Sequence, residues 1–214
     1  MAYISNESAQ IIIEIKSNNV KKTIKVIEEL KDEKWDSVHI FSKDDKYEYR
    51  YVLGSKGNKS LIFFGINPNT ATGFSSYDSD STTNIINNIS RNLNLGYDSC
   101  YLINIYPQRA KKPKYLDRKP NQLIHNENKK YIKNIIKDGS SILAGWGNLN
   151  DKKKRSYLID YLIDIYNELK GININWYNIK NKLQGIHPPH PSRKKIEEIE
   201  EFNMDDYINI LQGL

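Results

Sequence analysis

The chain has a single cysteine, Cys100, so no intrachain disulfide can form, and its place inside an apolar run points to a buried, inert thiol. Long hydrophobic runs are missing as well: none approaches the ~20 residues that a membrane-spanning helix needs. Residues 1–8 have neither the basic nor the apolar region of a signal peptide, so a cytoplasmic protein with no membrane partner is expected. Histidine is also scarce. Of the four present, His187 and His190 are close in sequence, and the spacing His187-Pro188-Pro189-His190 raises zinc as a question. A catalytic zinc usually takes three protein ligands, whereas His39, His125 and Cys100 are all distant in the chain, so no metal and no cofactor is expected. The proline-rich loop reads instead as a rigid mount for one functional histidine. Internal repeats and low-complexity linkers are lacking too. The 214 residues suffice for one domain with a substantial core. Residues 1–37 read as a strand-and-helix extension packed on a single α/β domain over 38–214.

What the chain does have is the run Leu61-Ile62-Phe63-Phe64-Gly65-Ile66, followed at once by Asn67-Pro68-Asn69-Thr70. An apolar run of that length, rich in aromatic and β-branched residues, suits a central strand buried on both faces. Pro68 has no N–H for a ladder and biases Asn67 away from the α region, so the strand must stop where the carboxamide appears. Three further segments repeat this grammar: 99–106 running into Pro107-Gln108-Arg109, Ser140–Ala144 running into Gly145-Trp146-Gly147-Asn148, and 172–179 leading to His187 and His190. Helical patterns lie between them. Strands alternating with helices imply right-handed crossovers and a largely parallel sheet, whose ligand crevice lies outside the carboxyl ends of the strands. Asn67, Arg109, Trp146 and His190 should therefore converge.

The flanking elements are less regular. Val20, Ile24, Ile27 and Leu30 recur at helical spacing, predicting a helix that stops near Trp35. Segments 38–41 and 47–53 flank Ser42-Lys43-Asp44-Asp45, a good turn composition, so a hairpin is predicted. Its second strand puts Tyr47, Tyr49, Tyr51 and Leu53 on one face, with packing on the core as the expected use, and Glu48 and Arg50 on the other. Asp80 makes a good N-cap for a helix carrying Ile85, Ile86 and Ile89, and the stretch 192–214 reads as one amphipathic helix.

A formal charge of +6 suggests an anionic partner, although scattered lysines are the commoner origin of such a charge. Local clusters are more informative: Lys111-Lys112-Pro113-Lys114 and Arg193-Lys194-Lys195 follow strand-end loops. The helix start near Asp80, with Asn69, Thr70, Thr82 and Thr83, offers backbone N–H groups and a positive dipole end to a phosphate or carboxylate. Asp78 and Asp80 could alternatively hold a divalent metal, but capping is the simpler use of Asp80. Arg109, whose planar fork suits a phosphate or a base edge, is equally readable as a solvated surface arginine.

From about residue 49 to 193 the chain resembles the family known as domain of unknown function 1643. The marks are Tyr49-Arg50-Tyr51, Asn67-Pro68-Asn69-Thr70-Ala71, Asp80 with Thr82 and Thr83, Gly96-Tyr97, Asn104-Ile105-Tyr106 with Arg109-Ala110, Asn126-Glu127-Asn128, Ala144-Gly145-Trp146-Gly147, and Gly185 with His190-Pro191. That resemblance carries no established reaction. More distantly, Phe64-Gly65-Ile66-Asn67-Pro68, the later Trp-Gly pair and a His-Pro loop resemble the mismatch-specific branch of the uracil-DNA glycosylase superfamily. This likeness implies a three-layer αβα sandwich around a mainly parallel four-stranded sheet, with Asn67 holding a hydrolytic water and His190 or His187 near a base. Asn69 stands where those enzymes have glycine, and the loop 187–193 lacks an apolar wedge, so flipping from a duplex is disfavoured.

The expectation is thus a nucleobase- or nucleotide-binding protein with N-glycosidase chemistry on a nucleotide, nucleoside or single-stranded nucleic acid. Asn67 and His190 are the catalytic candidates, and Asn69, Thr70, Asp80, Thr82, Thr83, Asn104, Arg109, Trp146, Asn148, His187 and Arg193 the ligand-binding ones. The rivals are a protein that sequesters a nucleotide or signal molecule without turnover, in phage and host conflict for example, and a nucleic-acid-binding adaptor.

Overall fold

The structure, a computed structural model, describes residues 11–17, 20–32, 37–55, 57–71, 80–92, 95–150, 155–180, 186–191 and 198–213. Its strands are β1 (Ile11–Ser17), β2 (Val20–Asp32), β3 (Ser37–Lys43), β4 (Glu48–Ser55), β5 (Ser60–Gly65), β6 (Ser99–Asn104), β7 (Ser140–Ala144), β8 (Ile174–Ile179) and β9 (Ile199–Glu201). The helices are α1 (Ser81–Asn92), α2 (Gln122–Ile135), α3 (Tyr157–Leu169) and α4 (Met204–Gln212).

The nine strands of the described residues form one mixed sheet in the order β1-β2-β3-β4-β6-β5-β7-β8-β9. Five of its eight pairings are antiparallel and three parallel, which overturns the expected sandwich around a mainly parallel four-stranded sheet. The parallel pairings are confined to β6-β5, β5-β7 and β7-β8.

Two misread segments account for much of the difference. Residues 20–32, expected to be helical, form β2, which pairs antiparallel with β1 and β3. Val20, Thr23, Ile24, Val26 and Ile27 are β-branched and favour a strand, while a register shift between Ile27 and Leu30 interrupts the two-residue period that would have announced one. Near the C-terminus, where one helix over 192–214 is expected, the described residues 198–213 hold β9, antiparallel to β8, followed by α4, while 192–197 lie outside the described residues. Asn203 caps α4 by accepting from the Asp206 N–H at 3.1 Å, so the helix starts there and not earlier.

β5 is buried along its length and its side chains alternate between two apolar clusters. Ile62 and Phe64 join residues of α2, α3 and α4 on one face, while Leu61 and Phe63 meet Ile86 and Ile89 of α1 on the other. Cys100 is fully buried in the second cluster. The β3–β4 hairpin turns through Asp44, whose Oδ1 accepts from the Lys46 and Tyr47 N–H groups.

β4 departs from simple alternation in a way that matters for the site. Ile40 pairs with Val52 and Phe41 with Arg50, so Tyr51 is an extra residue opposite β3. This bulge leaves Tyr49, Tyr51 and Val52 in the first cluster and moves Leu53 to the second, away from the face predicted for it.

Candidate ligand-binding site

The chain beyond β5 and β6 is knitted together by backbone hydrogen bonds that continue past the strands. Ile105 N donates to Gly65 O and Tyr106 N to Ile66 O, both at 2.9 Å, and Ala110 N reaches Pro68 O at 2.9 Å. On the other side, Arg50 N donates to Pro107 O at 2.8 Å and Arg109 N to Glu48 O at 2.9 Å. Asn128 of α2, fully buried, donates Nδ2 to Asn104 O at 2.9 Å and fixes the end of β6. A third connection joins the Trp146 turn to the histidine loop: Gly147, at φ +65°, donates its N–H to Pro188 O at 2.7 Å.

These turns surround a cavity of about 740 Å³ at the carboxyl ends of β5, β6 and β7. Asn67, Asn69, Asp80, Thr82, Asn104, Trp146, Asn148, His187 and His190 all line it, together with Arg50, Phe63 and the lysines Lys111, Lys112 and Lys114. Of the four groups predicted to converge, the Asn67 carboxamide, the Trp146 indole and the His190 imidazole belong to residues of this lining, and the Arg109 guanidinium does not. Three candidates are not part of the lining. Thr83 is buried and caps α1 with Asp80, whose Oδ1 accepts from its N–H at 2.9 Å and from its Oγ1 at 3.0 Å. Thr70 is exposed and contributes its carbonyl oxygen to Arg109. Arg109 itself spends its guanidinium on the loop, donating to Asn69 O at 3.0 Å, to Thr70 O and to the Glu48 carboxylate. It clamps the Asn67 turn instead of lining the cavity. Arg193 and Asp78 lie outside the described residues.

Asn67 is held by its own amide. Nδ2 donates to Ala110 O at 2.7 Å and to Pro68 O at 3.0 Å, so the hydrogen-bonding atom left over is the acceptor Oδ1. Trp146 is fully buried among Phe64, Trp176, Phe202 and Tyr207, which is a packing role, although the residue also belongs to the cavity lining. Its indole N–H donates to the Tyr207 hydroxyl at 3.1 Å, and the same hydroxyl lies 3.0 Å from His187 Nδ1. Burial, opposed by the indole hydrogen bond, pushes the Tyr207 pKa up to about 12, so the phenol keeps its proton at neutral pH. With its oxygen accepting from the indole, the Tyr207 hydroxyl has its own proton to donate to His187 Nδ1 whenever that nitrogen is unprotonated. His190 meets Phe63 edge-on at 6.3 Å. Phe63 occupies this place because residue 145 is glycine: a Cβ there would sit 2.2 Å from Phe63 Cε2.

Arg50 is the lining residue that sequence reasoning missed. It is 3% exposed, donates Nη1 to Ala71 O at 2.5 Å and has no partner for Nε among the described residues. Asn104, 4% exposed, has no partner for Nδ2 among the same residues. Burial, followed by the charge of Arg109, lowers the Arg50 pKa to about 10 against the pull of Asp80 and Glu48, so it stays charged at neutral pH. A signal was present in Tyr49-Arg50-Tyr51, an arginine in a strand with large apolar neighbours, but simple alternation assigned it to an outer face.

A family model described as protein of unknown function (DUF1643) matches residues 50–192, about two thirds of the chain. The chain belongs to this family. No curated protein and no solved structure matches it significantly, so the likeness to the uracil-DNA glycosylase superfamily gains no support. The family match takes in Arg50, Asn67, Asn104, Trp146 and His190, and so most of the cavity lining.

A larger depression of about 960 Å³ lies where α3 ends beside β8, β9 and α4, lined among others by Lys170, Asn173, Trp176 and Asp205. None of the described buried side-chain atoms that lack a partner belongs to it. Among the described residues, no three of His, Cys, Asp and Glu cluster as metal ligands, and no helix is long and apolar enough to cross a membrane.

Proposed function

We propose that the protein binds a nucleobase-bearing anion, a nucleotide or the end of a single strand, in the 740 Å³ cavity and hydrolyses its N-glycosidic bond. The observation that carries this reading is the placing of Asn67, His187, His190 and Phe63 around one space rimmed by Lys111, Lys112 and Lys114. Ligand cavities of about 300 to 1,000 Å³ take small molecules of nucleotide size. Breaking the bond builds positive charge on the sugar and negative charge on the departing base. Oδ1 of Asn67 accepts from a water and aims it at the sugar, and an imidazole N–H stabilises the charge on the base carbonyl. Asn67 is too weak to act as a base, so the catalysis is electrostatic and positional.

Incubation with nucleosides, nucleotides and short single strands, followed by chromatography for free base, tests this. Release by the wild-type protein that disappears in Asn67→Ala, with ligand affinity retained, is the expected result. Tight binding without product throughout would establish the sequestering reading. That reading is favoured by one observation: Asp80, the one carboxylate among the described lining residues, is occupied in capping α1, so the described lining offers no free carboxylate to activate a water.

A further inference from the structure

We infer that Arg50, Asn104 and the first turn of α1 form a subsite for a terminal phosphate, so that the ligand of the cavity is a phosphomonoester. The inference rests on the nucleobase reading for the rest of the ligand and goes beyond it by naming the group that the deep end of the cavity accepts.

Two buried donors there lack an acceptor. Arg50 Nε and Asn104 Nδ2 have no partner among the described residues, although both residues are more than nine-tenths buried and both line the cavity. A buried charge left this far uncompensated is costly, and an unsatisfied buried donor costs about 1–3 kcal/mol; a bound anion supplies both missing acceptors. The α1 N-terminus lies at the same end. Ala71 links the two, its carbonyl accepting from Arg50 Nη1 and its N–H donating to Asp80 Oδ2 at 3.4 Å. Asp80 takes the Thr83 N–H and its backbone carbonyl takes the Asn84 N–H at 3.0 Å, which leaves the N–H groups of Ser81 and Thr82 without helical acceptors at the cavity wall. Asp80 is the opposing charge. Both of its oxygens are already engaged, and four lining cations, Arg50 with Lys111, Lys112 and Lys114, outweigh it.

The geometry favours phosphate over carboxylate and monoester over diester. A carboxylate offers two oxygens to the donors gathered here, whereas a terminal phosphate offers three and carries more charge. A diester must send chain out in two directions, and the depth at which Arg50 and Asn104 lie suits a group attached on one side.

Calorimetric titration of the full chain with a nucleoside, its 5′-monophosphate, ribose 5-phosphate and inorganic phosphate tests the inference. The monophosphate should bind at least about tenfold more tightly than the nucleoside, and millimolar phosphate should weaken the monophosphate while leaving the nucleoside unaffected. Arg50→Lys, which keeps the charge and loses the fork, should cost the monophosphate about tenfold with the nucleoside unchanged. Because replacing a buried arginine can unfold a chain, the phosphate competition on wild-type protein stands as a test by itself. Equal affinity for nucleoside and monophosphate, without competition by phosphate, overturns the subsite and leaves the nucleobase reading intact. Binding of phosphate and ribose 5-phosphate with no gain from any base supports the subsite and removes the nucleobase reading. Undiminished monophosphate affinity in a folded Arg50→Lys variant overturns the assignment of Arg50.

Discussion

Stability should fall in acid because of His39, and replacing it by phenylalanine should remove much of that dependence. His39 sits on β3, 4% exposed, with its ring stacked on Phe41 at 4.6 Å and no partner for either ring nitrogen among the described residues. Burial, reinforced by the charges of Arg50 and Arg109, lowers its pKa from 6.5 to about 4. The unfolded chain therefore binds a proton between pH 6.5 and about 4 that the folded chain refuses. Stability is fully present above 6.5, declines as pH falls through this window, and levels off below about 4. At about 1.4 kcal/mol per pH unit, the effect amounts to about 3 kcal/mol at most. His125, also buried and lowered by burial, acts in the same direction in both proteins, so the difference between wild type and variant isolates His39. Urea unfolding of wild-type and His39→Phe protein from pH 7.5 to 4 measures it. The variant should match or exceed the wild type at pH 7.5, since two unsatisfied nitrogens are gone, and should lose less on acidification by up to about 3 kcal/mol. Parallel stability curves would refute the reasoning. So would a variant destabilised at neutral pH by more than about 2 kcal/mol, because the ring nitrogens would then have to be making favourable contacts.

Three further outcomes follow from the packing around the cavity. Gly145→Ala would place a Cβ 2.2 Å from Phe63 Cε2, and should destabilise the fold by about 1–3 kcal/mol in denaturant unfolding while weakening ligand binding through displacement of Phe63. Asn128→Ala removes the Nδ2 bond to Asn104 O, and should cost about 1–2 kcal/mol in thermal or urea unfolding. Arg109→Ala releases the carbonyls of Asn69 and Thr70 and the Glu48 carboxylate, so limited proteolysis should cut within 66–71 faster than in the wild type, with a stability loss of about 1–3 kcal/mol.

The site was more legible in the sequence than the sheet. An apolar run that ends in Asn67-Pro68 places a strand terminus by local chemistry alone, and the same holds for Ala144 before Gly145-Trp146. Parallel pairing then puts these ends together, and nine of the thirteen candidate residues do line one cavity. What escaped depends on contacts distant in sequence. β2 has a strand's composition, but its register shift breaks the period, and β9 is three residues long and exists by pairing with β8. Arg50 lies on the cavity side of a bulged strand beside α1, and no pattern within residues 47–53 announces the bulge. Arg109 looked like a ligand for an anion because its partners Glu48, Asn69 and Thr70 are about 40 or more positions away in the chain.

The four histidines supply the most direct measurement of the central claim, that the cavity at the strand ends is where a nucleobase-bearing anion binds. His187 and His190 line that cavity, while His39 and His125 are buried outside its lining. Imidazole ¹H–¹⁵N spectra recorded during titration with a nucleoside 5′-monophosphate read all four at once. The signals of His187 and His190 should move together and saturate at one ligand affinity while those of His39 and His125 stay in place. Saturable binding that leaves His187 and His190 unmoved would put the ligand elsewhere and contradict the account.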